Sequence, residues 1–297
     1  MRRLLLVVTL LLPAFTFGQG KPLYTVYTGF QKGTYALIAE DIQKACPQFQ
    51  INVEPTQGSL ANINALIAPP VIKNGHRLAL VQKDALDAIL GSEPKAKTVY
   101  KMVMPFYSEE ITIIANKKSG IKTLKDLNGK RVASGLPGSG MWFTANTIRN
   151  ALNIKWLQVD RLPEESILLV LTGEVDAMLI VGGSPVRLFQ ELGQSMAERI
   201  LMIPITETEF EKVYQPARIP ALTYLWQDYP VETKATQSIL IAAADVPDNA
   251  IKEFNSCLAK NLSAIKKFGH PKWKEINFPP QNLRQNQRPL LPQPRQK

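Results

Sequence analysis

Residues 119–140, SGIKTLKDLNGKRVASGLPGSG, decide the fold class. Leu124 to Leu127 reads as a helical turn and Arg131 to Ser134 as a strand; Pro137-Gly138-Ser139-Gly140 then opens a helix from about Met141 to Leu152. A strand running into a glycine-rich helix start is the repeating unit of open α/β sheets. The unit recurs on both sides. Upstream, strand Leu23 to Tyr27 leads to helix Tyr35 to Ala45, strand Gln50 to Glu54 to a helix from Ser59 to about Ile67, and strand Leu78 to Val81 to helix Asp84 to Leu90. An isoleucine-rich strand follows at Glu110 to Ala115. Downstream come strand Gln158 to Leu162, helix Glu164 to Leu171, strand Ala177 to Val181, helix Val186 to Leu192 and strand Ile200 to Ile205. Such alternation predicts parallel sheets covered on both faces. With no internal repeat of roughly 20–50 residues, so many units predict two successive α/β lobes rather than one sheet.

The chain ends read differently. Arg2 and Arg3 precede the apolar run Leu4 to Leu12, Pro13 breaks it, and Thr16, Gly18 and Gly20 supply small residues at cleavage spacing. This is the three-part pattern of a secretory signal, expected to be cleaved after Gly18 or Gly20. The run is shorter than the about 20 residues a membrane span needs. At the other end, 281–297 carries Arg284, Arg288, Arg295 and Lys297 with no acid, among Pro289, Pro292, Pro294 and glutamines. It reads as a disordered tail outside any core. The two ends hold most of the formal charge of +10, so the body is only mildly basic. Nothing in it interleaves basic and aromatic residues as nucleic-acid surfaces do, and no nucleic-acid partner is expected.

Catalytic and metal chemistry lack their residues. His76 and His270 are the only histidines, and neither has a companion at ligand or triad spacing. His76 reads as an exposed loop residue. No nucleophile elbow, dinucleotide fingerprint or carboxylate pair stands out. The chain is therefore expected to be no enzyme and to carry no metal or cofactor. Cys46 and Cys257 fit no metal spacing; an oxidising compartment allows them to pair, and two unpaired buried thiols account for them equally well.

Four loops sit where strands lead into helices. In Thr28-Gly29-Phe30-Gln31-Lys32-Gly33-Thr34-Tyr35, glycines bracket a turn that a threonine N-cap would explain, although Lys32 could add charge to a site. In Gln57-Gly58-Ser59 a cap explains the serine, while Gln57 and Gly58 suit close backbone approach. Gly138-Ser139-Gly140, followed by Met141, exposes backbone N–H groups at a helix start and favours a carboxylate or phosphate. It lacks the Lys-Ser/Thr of a phosphate-binding P-loop. Turn chemistry explains most of Gly182-Gly183-Ser184, with Pro185 expected at the next helix's first turn.

Taken in order, TGFQKGTY (28–35), TQGSLANI (56–63), LALVQKD (78–84), the stretch 119–140 and GEVDAMLIVGGSP (173–185) resemble the TAXI family. These are the extracytoplasmic receptors of tripartite ATP-independent periplasmic (TRAP) transporters. YPVETKATQSILIAAADVPDNAIKEF (229–254) and HPKWKEI (270–276) are similar to the family's C-terminal region. The resemblance implies an α/β, two-lobed, type II periplasmic-binding fold with two crossover hinge strands, here Glu110 to Ala115 and Gln237 to Ala242. The expected division is 1–18 signal, 19–115 plus 238–280 lobe I, 116–237 lobe II, and 281–297 tail. It further implies a monomeric periplasmic receptor that delivers a small organic anion, a glutamate-like amino acid or dicarboxylate, to a TRAP-type permease. A receptor presenting its bound form to a membrane signalling protein is the alternative. The implied ligand-binding residues are Thr28, Gln31, Lys32, Thr34, Tyr35, Gln57, Gly58, Ser59 and Gln82 on lobe I. Lobe II would supply Gly138, Ser139, Gly140, Met141, Gly182, Gly183 and Ser184. Phe30, Gln31 and Lys32 stand where the family usually has Ser-Pro-Gly, so the pocket's shape is this chain's own.

Overall fold

Three parallel strands start the first lobe: β1 (Leu23–Tyr27) lies between β2 (Gln50–Glu54) and β3 (Gly75–Gln82). Helices α1 (Thr34–Ala45), α2 (Ser59–Ile67) and α3 (Lys83–Ser92) connect them or follow. The computed structural model describes residues 20–69, 75–92 and 98–278; the expected signal 1–18 and the tail 281–297 lie outside the described residues. Strand β4 (Tyr100–Asn116) then runs for 17 residues. The next elements are β5 (Arg131–Ala133), α4 (Gly140–Ala151), β6 (Leu157–Val159), α5 (Pro163–Thr172) and β7 (Ala177–Gly182). A single turn of helix, α6 (Arg187–Gln190), precedes β8 (Ile200–Ile203), β9 (Gln215–Ile219), the long β10 (Val231–Ala243) and α7 (Asp248–Phe268).

β4 and β10 carry the architecture. They pair antiparallel along much of their length, from Ala235 opposite Glu110 to Ala243 opposite Tyr100. The far end of β10 also pairs with β3 in the first lobe, while its start pairs with β9 in the second. Likewise Glu110 to Ala115 of β4 pairs with β7, and Ile113 to Asn116 with β8. The ladder shifts between Gln237 and Ile239, and Ile239 faces Pro105. Proline has no N–H to give a ladder and sits in sheets at such irregularities.

Two features differ from the sequence reading. The sheets are mixed, not purely parallel, because both crossovers run against their neighbours. The two lobe sheets are also joined into one 10-stranded ladder of order β2-β1-β3-β10-β4-β7-β5-β6, since β4 and β10 belong to both. The crossovers are longer than 110–115 and 237–242 for the same reason: apolar runs through both lobes keep finding partners.

Two apolar clusters flank the crossover. One gathers Tyr24, Ile38, Leu80, Phe254 and Trp273; the other Ile113, Val132, Ile148, Ile180 and Phe189. Helix α7 covers the first. It buries Ala250, Phe254, Cys257, Leu258 and Ile265, the three- and four-residue spacing of one helical face. Cys257 on that face forms a disulfide with Cys46 at the end of α1, which decides between the pairing and the free thiols. His76 is on β3, half-buried, with its ring 5.0 Å from that of Tyr24, rather than in an exposed loop.

Candidate functional site

Three helix starts from both lobes converge on one cavity. Its walls include Gly33, Thr34 and Tyr35 at the start of α1, Gly58 and Ser59 at the start of α2, and Ser139, Gly140 and Met141 at the start of α4. The first N–H groups of a helix have no intrahelical acceptor and mark the positive end of its dipole. Gln57, Gln82, Glu109, Val181, Gly182, Gly29 and Phe30 complete the lining. About 40 Å³ is free inside, room for roughly two or three waters.

The lobes meet across this space. Gly140 packs so tightly on the first lobe that a Cβ there would lie 1.8 Å from Gln82 Oε1 and 2.6 Å from Ser59 Oγ. Gly58 has φ 115°, which favours glycine, and its added Cβ would meet Gly140 N at 3.5 Å. Ala61 N–H donates to Gly138 O at 3.1 Å, so a carbonyl of one lobe satisfies a helix start of the other. Thr34 Oγ1 donates to Gly183 O at 2.8 Å. Behind the cavity, Gln82 Nε2 donates to Thr144 Oγ1 at 3.0 Å, and that hydroxyl donates to Asp84 Oδ2 at 2.8 Å. Tyr214 OH also donates to Asp84 Oδ2, at 2.9 Å. Burial raises the Asp84 carboxyl above its ordinary range, against the pull of these hydroxyl and amide donors.

Of the residues expected to bind, Thr34, Tyr35, Gln57, Gly58, Ser59, Gln82, Ser139, Gly140, Met141 and Gly182 line the cavity. Six do not. Thr28 is buried and bonds Glu54 O, Gln31 is exposed, and Lys32 reaches out to pair with Glu191. Gly138 gives its carbonyl to Ala61. Gly183 lies against Lys272 and Tyr107, and Ser184 N–H donates to Glu110 Oε2. Because α6 is one turn with Val186 as its N-cap, the fourth loop opens no substantial helix. Gly33 and Gly58 are the N-caps of α1 and α2 and make no side-chain cap, leaving Thr34 and Ser59 one residue inside. The Ser59 hydroxyl instead accepts from Gln82 N–H. Ser139 does cap α4, accepting from Trp142 N–H.

The sequence reading missed Glu109. It sits on β4 opposite Thr236, where the strands change partners, and is only 1% exposed. Tyr35 OH donates to its Oε2 at 2.8 Å, and Oε1 has no hydrogen-bond partner among the described residues. Burial, with Asp84 and Glu110 nearby, pushes its carboxyl up to about 8, against the Tyr35 hydroxyl and Lys272. Lys272 is engaged with Glu110 and Glu275, each at 2.6 Å. No lysine or arginine is among the lining residues. The available signal was the pair Glu109-Glu110 before an apolar run: adjacent strand residues point to opposite faces, so both could not stay in water.

Among the described residues, no cluster of His, Cys, Asp and Glu could hold a metal ion, and no helix is long and apolar enough to cross a membrane.

The architecture has solved counterparts. MatC from Rhodopseudomonas palustris, with bound malate, superposes with a TM-score of 0.60 at 17% identity over 83% of this chain and 87% of that one. A structure described as a periplasmic transporter gives 0.58 at 15% identity over 82% and 84%. A substrate-binding protein of an ABC uptake transporter from Streptococcus pneumoniae, with bound histidine, gives 0.52 at 13% over 83% and 89%. The shared architecture is the two-lobed α/β fold of type II periplasmic binding proteins. The sequence pattern of the NMT1-like family matches residues 26–290, nearly the whole chain, and this protein belongs to that family.

Proposed function

We propose that this chain is a periplasmic solute-binding receptor that closes two lobes on a small carboxylate-bearing solute and delivers it to a membrane permease. The observation that carries this reading is the convergence of helix starts from both lobes, α1 and α2 facing α4, on one cavity. Oriented N–H groups and three positive dipole ends favour a carboxylate there. Because the walls belong to different lobes, a solute touching both shifts the hinge toward closure. Malate in MatC and histidine in the streptococcal protein, both carboxylates, accord with that class. A TRAP-type permease is the partner that the likeness of 119–140 and 173–185 to TAXI receptors favours. A thermal-shift screen of amino acids, monocarboxylates and dicarboxylates tests the receptor reading. At least one should raise the melting temperature and compact the protein in small-angle scattering; if none does, the reading fails.

A further inference from the structure

The cavity contains an acid where a receptor for simple anions needs a cation. Glu109 lines it, almost fully buried, with the Tyr35 hydroxyl on one oxygen. Lys32 is turned outward to Glu191 and Lys272 is held by two carboxylates, so neither is available to an incoming anion. A dicarboxylate would bring two negative charges to walls that already hold Glu109, with Asp84 close behind. Three helix starts suit one carboxylate; nothing on the walls suits a second.

We propose that Glu109 is the ammonium-recognition residue of this cleft, and that its solute is a compact zwitterion with its carboxylate at the helix starts and its ammonium against Glu109. This rests on the receptor reading above and narrows its ligand class. The two subsites are neighbours: Tyr35 OH, which donates to Glu109 Oε2 at 2.8 Å, also meets the Ser59 hydroxyl at the start of α2, so the carboxylate and ammonium positions lie about as close together as in a compact zwitterion. The free volume of about 40 Å³ is well below the ~150 Å³ apolar cavity that holds benzene, so even a small zwitterion enters only as the lobes part slightly, and a short side chain needs the least parting. Met141, Phe30 and Val181 supply the apolar wall such a side chain would meet.

Around Glu109 stand the Tyr35 hydroxyl from α1, Asp84 from α3, Tyr107 and Glu110 on its own strand, and Lys272 beyond α7. In the empty closed protein the carboxyl holds its proton until about pH 8. An ammonium placed against it expels that proton, so binding to the closed form at pH 7 should release up to one proton, and less in proportion to the time the empty lobes stand apart with the carboxyl in water. Affinity should then rise with pH between pH 6 and 8, by at most about tenfold per unit, and level off above, because the free site must first lose the proton. An amine-free carboxylate would show the opposite trend or none.

The test is calorimetry on protein stripped of bound solute by unfolding and refolding with its disulfide intact. The probes are the twenty common amino acids and their deaminated carboxylates, in two buffers of different ionisation enthalpy. We expect at least one amino acid to bind on the order of 30-fold or more tighter than its deaminated partner, the loss typical of removing one member of a buried charge pair. Proton release should accompany that binding. Glu109→Gln should abolish the release and collapse the preference; the melting temperature of the variant reports whether it folds. An amine-free carboxylate binding as tightly as its amino partner, or proton uptake on binding, overturns the role of Glu109 and leaves the receptor reading intact. Silence from every probe with folded protein overturns both.

Discussion

Replacing Glu109 by glutamine should make the empty protein more stable, increasingly so as pH rises. Glutamine keeps the volume and an acceptor for the Tyr35 hydroxyl but never ionises. In the folded chain the Glu109 carboxyl is pushed up to about 8, against an ordinary 4.5. Between those values the folded state holds a proton that the unfolded chain has released. The sign follows: the stability linked to this group is fully present below about pH 4.5, falls as pH rises, and is lost through pH 8. At 1.36 kcal/mol for each pH unit of that window, the penalty is roughly 3 kcal/mol at pH 7 and about 5 kcal/mol at pH 9. Both figures are ceilings, because parting of the lobes lets water reach the carboxyl. Urea denaturation of stripped parent and variant at pH 4.5, 7 and 9 reads the difference directly, and other titrating groups largely cancel. The variant should gain nothing at pH 4.5 and one to a few kcal/mol at pH 9. A difference independent of pH, or a less stable variant at pH 9, would mean that Glu109 is ionised and well paired in the empty fold, and the argument from burial would be wrong.

Gly140→Ala should hinder closure without unfolding either lobe. Its Cβ would fall 1.8 Å from Gln82 Oε1, so the Gln82 amide must abandon its bonds to Thr144 and Asp84; overpacking of this kind costs ~1–3 kcal/mol, read as weaker solute binding and a larger scattering radius. Lys272→Met should destabilise the protein by about 3–5 kcal/mol, because Glu110 would be left buried without its cation, and adding Glu110→Gln should restore part of that loss in urea titrations. Reducing the Cys46–Cys257 bond, which joins residues 211 positions apart, should lower unfolding stability by ~2–5 kcal/mol, visible as a fall in melting temperature with reductant.

The parts of the site that were legible in the sequence are those where local chemistry decides the outcome. Gly58 and Gly140 mark helix starts because glycine both ends an extended segment and permits close approach. The same feature misplaced the hydroxyls by one residue. With φ 115° at Gly58, the cap position falls on the glycine, and Ser59 turns to the backbone of Gln82 instead. Gly183 looked like a member of the site because it resembles the other loops, but its missing Cβ makes room for Lys272 and Tyr107, at 2.7 and 2.9 Å. That reason lies in a segment almost ninety positions away on one side, and no local pattern states it. Glu109 was hidden for a similar reason: which of two adjacent acids faces the cavity depends on β4 and β10 aligning Glu109 with Thr236.

The two buried acids behind and beside the cavity differ in what they lack. Asp84 receives Thr144 and Tyr214 from the second lobe, Gln82 from the first and Thr236 from the crossover. It is satisfied by donors that come together only when the lobes meet, and so favours closure whether or not a solute is present. Glu109 receives a single hydroxyl. In the empty closed form it must keep a proton; with an ammonium beside it, it recovers its charge. A ligand shifts a hinge only by the difference in its free energy with the two forms. Relief of roughly 3 kcal/mol at this residue corresponds to more than a hundredfold in the open–closed equilibrium. The acid that penalises empty closure is then the same acid that makes closure selective. A lysine in its place would bind anions more strongly in general, but it would surrender the distinction between a zwitterion and any other carboxylate.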